Sequence, residues 1–177
     1  MNRAVFLDRD GTLNEDKGYV HKIKDFKLLE GVIEGLLLLK DFKLFIITNQ
    51  SGIGRCYYKE EDMHKFNERL LQELSKNNIK IEQIFFCPHT PEEECDCRKP
   101  NSKFIDIAKQ KYNLDLKKSW IVGDHPYDIE MAKNAGCRSI YVLTGHGKKH
   151  FEGAKNKADF TATNLLKAAQ YILRNTT

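Results

Sequence analysis

Three apolar runs in this chain end in residues that can do chemistry. "RAVFLD" ends in Asp8 with Asp10 two residues on, "KLFIITN" ends in Thr48 and Asn49, and "SWIVGD" ends in Asp124 with Asp128 just beyond. Gathered carboxylates repel one another and hold their protons unless a cation offsets them. Asp8, Asp10 and Asp124 offer the hard oxygen ligands that Mg²⁺ prefers, and that ion leaves its remaining positions to water and phosphate. Asp8 and Asp10 stand two apart, so in an extended segment they point to similar sides. One can then attack an electrophile while the other moves a proton. Each group also has a plainer reading. Thr48 and Asn49 suit a turn and a helix cap, and Asp128 suits the first turn of a helix, where an acid complements the dipole.

A second constellation lies in "CPHTPEEECDCRKP". Cys87, His89, Cys95 and Cys97 are the Cys₃His set of a closed structural Zn²⁺ site, and Arg98 and Lys99 follow at once. The single-residue gaps are tighter than those of most zinc fingers, so free or oxidised thiols are the competing reading. The five cysteines are an odd number and three crowd into one loop. A secreted disulfide framework would spread an even set behind a signal peptide, which "MNRAVFLDRDG" does not resemble. A reducing, cytoplasmic setting is expected. Cys56 and Cys137 read as ordinary small or buried residues, and His64, His146 and His150 as surface ones.

The elements that must position these groups follow from periodicity. Runs at 3–8, 43–49, 81–87, 119–124 and 139–143 read as short buried strands. Met63, Phe66, Leu70, Leu71 and Leu74 fall on one helical face, as do Phe104, Ile105, Ala108 and Tyr112. Pro126 opens a helix and Gly136 closes it, while Leu165 to Leu173 form a terminal helix. Alternating strands and helices imply a three-layer, Rossmann-like, mostly parallel sheet with helices on both faces. One domain over 1–177 is expected, with loops near 11–26 and 88–100 and no insertion large enough for a cap domain. Chemistry in such a sheet sits outside the carboxyl ends of its strands. The 29 basic and 25 acidic residues give a mild excess of four positive charges, which suits an anionic substrate without requiring one. No run approaches the ~20 apolar residues of a membrane span.

"DRDGTL", "TNQSG", the lysine of "RKP" and the acids of "GDHPYD" resemble, in order along nearly the whole chain, the four motifs of the haloacid dehalogenase superfamily of phosphatases. Within it, "GYVH", "TNQSGIGR" and the C-x-H…C-x-C loop are similar to the heptose bisphosphate phosphatases. The resemblance implies that Asp8 attacks phosphorus, Asp10 acts as general acid and base, Thr48 binds the phosphoryl group, and Lys99 neutralises it. It implies Mg²⁺ on Asp8, the Asp10 main-chain carbonyl and Asp124, and structural Zn²⁺ on Cys87, His89, Cys95 and Cys97. Substrate contacts would come from Asp16, Lys17, Gly18, Tyr19, Asn49, Gln50, Ser51 and Arg98. The similar enzymes often carry a basic residue after the "GD" acid, where this chain has His125.

The expected partner is a small sugar phosphate, with no membrane and no second copy of the chain. Histidinol-phosphate phosphatases share the cysteine loop. The "TNQSGIGR" segment is also similar to polynucleotide 3′-phosphatases, but no aromatic-studded basic stripe favours nucleic acid. A phospho-acceptor switch uses a comparable acidic pocket, although Asp10 would hasten loss of its acyl-phosphate.

Overall fold

The computed structural model describes residues 1–176. Six strands form one sheet: β1 Ala4–Leu7, β2 Lys43–Asn49, β3 Ile81–Cys87, β4 Trp120–Gly123, β5 Arg138–Val142 and β6 Phe160–Ala162. Their spatial order is β3-β2-β1-β4-β5-β6 and every pairing is parallel. The order reverses between β1 and β4, and a crevice opens at such a switch point beyond the carboxyl ends.

Alternation along the strands divides the core. Val5, Leu7, Leu44, Ile46, Trp120 and Val122 face one layer of helices, formed by α1 Val32–Leu38, α2 Glu60–Ser75 and α6 Leu165–Arg174. Ala4, Phe6, Phe45, Ile47 and Ile121 face the other, formed by α3 Lys103–Tyr112 and α4 Pro126–Ala135. Both faces of the strands are therefore buried, which is why they read as near-continuous apolar runs. Trp120, Phe6 and Phe45 are fully buried, each stabilising by roughly 1.5–3 kcal/mol. α4 starts at Pro126 and its chain reverses at Gly136, in the left-handed region at φ 71°.

The short α5 Phe151–Ala154 and the three-residue edge strand β6 lie outside the sequence expectation. Both are too short to establish a period. The stretches near 11–26 and 88–100 are loops, each with one 3₁₀ turn, at Ile23–Asp25 and Pro91–Glu93. Cys56 is exposed and Cys137 half-buried, which corrects the expectation for Cys56. His64 is exposed on α2, 3.2 Å from the Glu60 carboxylate. No helix among the described residues is long and apolar enough to cross a membrane.

Candidate active site

The register of β1 against β2 and β4 brings Asp8, Thr48 and Asp124 to one crevice. Carboxylate oxygens of Asp8, Asp124 and Asp128 lie within 4.8 Å of one another. Asp128 comes from the first turn of α4, where its Oδ2 accepts the His125 main-chain N–H at 3.1 Å. Its Oδ1 accepts from Lys99 Nζ at 2.7 Å, and the same ammonium donates to Asp8 Oδ1 at 2.7 Å. Asp128 thus caps a helix and positions Lys99, uniting the two readings its sequence position allowed.

One lysine does not balance three buried acids. Burial pushes the Asp8 carboxyl up to about 6, with Lys99 opposing the shift and Asp128 adding to it. Asp124 is pushed up to about 9 by burial and by repulsion from Asp8 and Asp128. Burial also works against the Lys99 charge, but Asp128 and Asp8 outweigh it and hold the ammonium above its ordinary value. Oxygen donors crowded together and kept from ionising suit a divalent cation, which removes the repulsion on binding. Gly11 permits the crowding. Its φ of 83° is left-handed, and a Cβ there would collide with the Asp124 carboxylate.

The Asp10 carboxylate stands apart from this cluster. Oδ1 accepts from Arg9 Nε at 3.0 Å and Asn14 Nδ2 at 2.8 Å, and Oδ2 from Arg9 Nη2 at 2.7 Å and Gln50 Nε2 at 2.9 Å. Its side chain is therefore not among the metal-ligating candidates, and only its main-chain carbonyl is left for the role the resemblance implies. Gln50 also donates to Thr48 Oγ1 at 2.8 Å and accepts from Tyr58 Oη at 2.6 Å. Asn49 Oδ1 accepts the Lys99 main-chain N–H at 3.1 Å, tying the end of β2 to the basic pair.

Asp8, Asp10, Thr48, Lys99 and Asp124 open on a cleft of about 230 Å³, with Asp128 and Arg9 behind its wall. Of the expected site residues, Asp8, Asp10, Asp16, Tyr19, Thr48, Asn49, Gln50, Ser51, Arg98, Lys99 and Asp124 line it. Lys17 and Gly18 do not. The Lys17 ammonium lies 3.7 Å from the Asp25 carboxylate, and Gly18 shapes a turn whose N–H donates to Asp16 Oδ1 at 2.7 Å. Tyr58 and Tyr127 line the cleft without having been singled out, and His125 and His146, named above without a site role, line it as well. His146 is exposed, as expected of a surface residue, yet it sits on the rim of the cleft: its N–H donates to Asp124 Oδ2 at 2.7 Å and its Nε2 lies 3.1 Å from Asp16 Oδ2. The flanking "GKK" gave no hint of this, because the loop after β5 folds back over the crevice. Burial pushes His125 down to about 4, with His150 and Lys99 adding to the shift, so it is neutral at pH 7.

The cysteine loop gathers as its composition suggests. Cys87 Sγ lies 3.5 Å from both Cys95 Sγ and His89 Nδ1, Cys97 Sγ is 3.5 Å from Cys95 Sγ, and His89 Nδ1 is 3.3 Å from Cys97 Sγ. The sulfurs are far beyond the ~2.05 Å of a disulfide. They lie near the ~3.8 Å edge of a tetrahedron built on 2.3 Å Zn–S bonds. The set can hold a metal ion. Burial holds Cys87 well above the ordinary thiol range. Burial works against the Cys95 thiolate, but the Cys97 N–H and the thiols of Cys87 and Cys97, helped by the Arg98 N–H, outweigh it and draw Cys95 down to about 7. The loop is joined to the cleft through Arg98 Nη1, which donates to the His89 carbonyl at 3.2 Å, and through Gln50 N–H to the Cys87 carbonyl at 2.7 Å.

Comparison with known proteins gives one consistent picture. The HAD-hydrolase-like family model matches residues 96–168. The D-glycero-alpha-D-manno-heptose-1,7-bisphosphate 7-phosphatase of Campylobacter jejuni is 44% identical over 149 residues, covering 83% of this chain and 85% of its own. The D-glycero-beta-D-manno-heptose-1,7-bisphosphate 7-phosphatase of Escherichia coli K12 is 36% identical over 180 residues, covering 96% and 93%. Among solved structures, the D,D-heptose 1,7-bisphosphate phosphatase of B. bronchiseptica, complexed with magnesium and phosphate, superimposes with a TM-score of 0.89. It is 27% identical over 97% of this chain and 98% of that one.

Proposed function

The chain belongs to the heptose-bisphosphate phosphatase family of haloacid dehalogenase-like hydrolases, and from that premise we propose that it removes the 7-phosphate of D-glycero-D-manno-heptose 1,7-bisphosphate. The observation that carries this reading is the convergence of Asp8, Thr48, Lys99 and Asp124 on one cleft at the switch point of the sheet. Asp8 attacks phosphorus in line, forming an aspartyl-phosphate as the bond to the sugar oxygen breaks. Asp10 gives that oxygen a proton, then takes one from the water that hydrolyses the intermediate. Thr48 binds a phosphoryl oxygen, and Lys99 orients Asp8 and offsets the charge that develops. Asp8, Asp124 and the Asp10 main-chain carbonyl would hold Mg²⁺. When bound there, the ion supplies positive charge against the phosphoryl oxygens.

Asp16, Tyr19, Asn49, Gln50, Ser51 and Arg98 bind the remainder of the substrate in this reading. The guanidinium of Arg98 suits a second phosphate or a pair of hydroxyls. Zn²⁺ on the cysteine loop acts as a clamp for Arg98 and Lys99 and takes no part in the chemistry. The whole chain from 1 to 177 serves as one catalytic domain. The working unit in this reading is a single chain, and unbonded thiols 3.5 Å apart suit a reducing cytoplasm.

The deciding measurement is phosphate release from heptose bisphosphate, histidinol phosphate and a 3′-phosphorylated oligonucleotide, each with and without Mg²⁺. Fastest release from the heptose substrate, lost without Mg²⁺, is expected. Faster release from either competitor would replace the proposal.

A further inference from the structure

We propose that Arg9 is a positioning residue for Asp10, holding it ready to activate the hydrolytic water, and that α2 anchors it through Asn67 and Phe66. Arg9 is fully buried although it carries a charge. An uncompensated guanidinium would be expensive there, so its partners define what it is for. Nε and Nη2 form a fork onto the two oxygens of Asp10, at 3.0 and 2.7 Å. Nη1 donates to Asn67 Oδ1 at 2.8 Å and Nη2 to the Val20 carbonyl at 2.9 Å. The guanidinium lies over the Phe66 ring, 4.7 Å from its centroid. Asn67 is itself buried, with Nδ2 spent on the Met63 sulfur.

Each end of this bracket is therefore fixed. A planar fork sets the plane of the carboxylate as well as its position, which a lysine could not do. Gln50 grips Oδ2 from the other side, itself held by Tyr58. Four donors on two oxygens satisfy an ionised carboxylate. That is the form Asp10 holds once it has given its proton to the leaving oxygen and must take one from water. The water oxygen then bonds to phosphorus, the bond from phosphorus to the Asp8 carboxylate breaks, and its electron pair returns to Asp8.

The inference rests on the aspartyl-phosphate reading above, and an aryl phosphate separates the two. Its leaving group needs no proton, so kcat/KM reports attack by Asp8, while kcat includes hydrolysis of the intermediate. Wild-type turnover of the aryl phosphate and of heptose bisphosphate checks the underlying reading. Arg9→Met should lower kcat on the aryl phosphate by ~10–100-fold, within the range of general base catalysis. It should leave kcat/KM within about 3-fold and give a burst of aryl alcohol with phosphorylated protein trapped by acid quench. Arg9→Lys should fall short of full rescue. Should Arg9→Met fail to fold, Asn67→Leu carries the same test, with the same burst at a smaller loss of kcat. Equal falls in kcat and kcat/KM without a burst, or an unchanged kcat, would overturn the inference.

Discussion

Two regions meet at Lys99, and they are built on opposite principles. The acidic crevice rests on strand ends whose positions the sheet fixes through parallel pairing of β1 with β2 and β4. The cysteine loop has no ladder of its own, only a 3₁₀ turn and a cluster of side chains. The crevice gains chemistry from this rigidity, because repulsion between Asp8, Asp124 and Asp128 can be stored only where the acids cannot move apart. The loop brings in the compensating charge, so its order has to come from clustered side chains, joined in the proposed reading by a bound ion. A lysine supplied from a separate element can be disturbed without dismantling the sheet.

The comparison is broken most severely at Asp8. Asp8→Asn should lower phosphate release on the order of 10⁴-fold or more, while the melting temperature is kept or rises, since a carboxylate crowded against Asp124 and Asp128 is gone; a coupled phosphate assay and calorimetry read both. Lys99→Met strikes where the regions join and leaves Asp8 and Asp128 without their shared donor. Loss of activity should come with about 3–5 kcal/mol of destabilisation, typical of breaking a buried ion pair, and a melting temperature lower by roughly 10 °C. Cys95→Ser tests the loop alone. Metal content should fall in elemental analysis and activity should drop, with the far-ultraviolet dichroism of the sheet unchanged; full activity in a metal-free loop would remove the clamp.

The smallest effect sharpens the electrostatic half. In protein free of Mg²⁺ but with the cysteine loop left metallated, so that Cys95 does not titrate in the same window with the opposite sign, Asp124 is protonated when folded up to about 9 but ionised when unfolded above its ordinary value. The folded state binds the extra proton, so stability falls as pH rises through that window. His125, drawn down to about 4, has the opposite sign, because unfolding lets it take up a proton below its ordinary value of 6.5. Between about 6.5 and 9 only Asp124 of this pair acts. The melting temperature should decline across that interval, and the rise given by Mg²⁺ should grow with pH. A magnesium effect independent of pH would show that Asp124 does not ligate the ion.

Much of this was legible beforehand. Five strands, the helices on 63–74, 104–112 and 126–136, and the groups ending β1, β2 and β4 follow from period and punctuation, because each is a local property. The cysteine loop was legible for the same reason. What escaped has a common cause. Asp128 was ambiguous until Lys99, 29 residues away, was seen on its carboxylate. His146 is exposed as its neighbours suggest, but only the structure shows its loop folded against Asp124 and Asp16. Arg9 sits inside the motif, yet nothing in its neighbours announces the Asn67 that it reaches across 58 residues.

The sequence by itself determined which atoms could attack, transfer protons and bind metal, along with the alternation that forces a parallel sheet, because residue type and local period are properties of the chain. Only the tertiary structure decided which acid shares the lysine, which carboxylate is forked by a buried guanidinium, and which histidine closes the cleft. Those outcomes depend on register and loop closure between distant segments, as in the 91 residues separating Asp8 from Lys99.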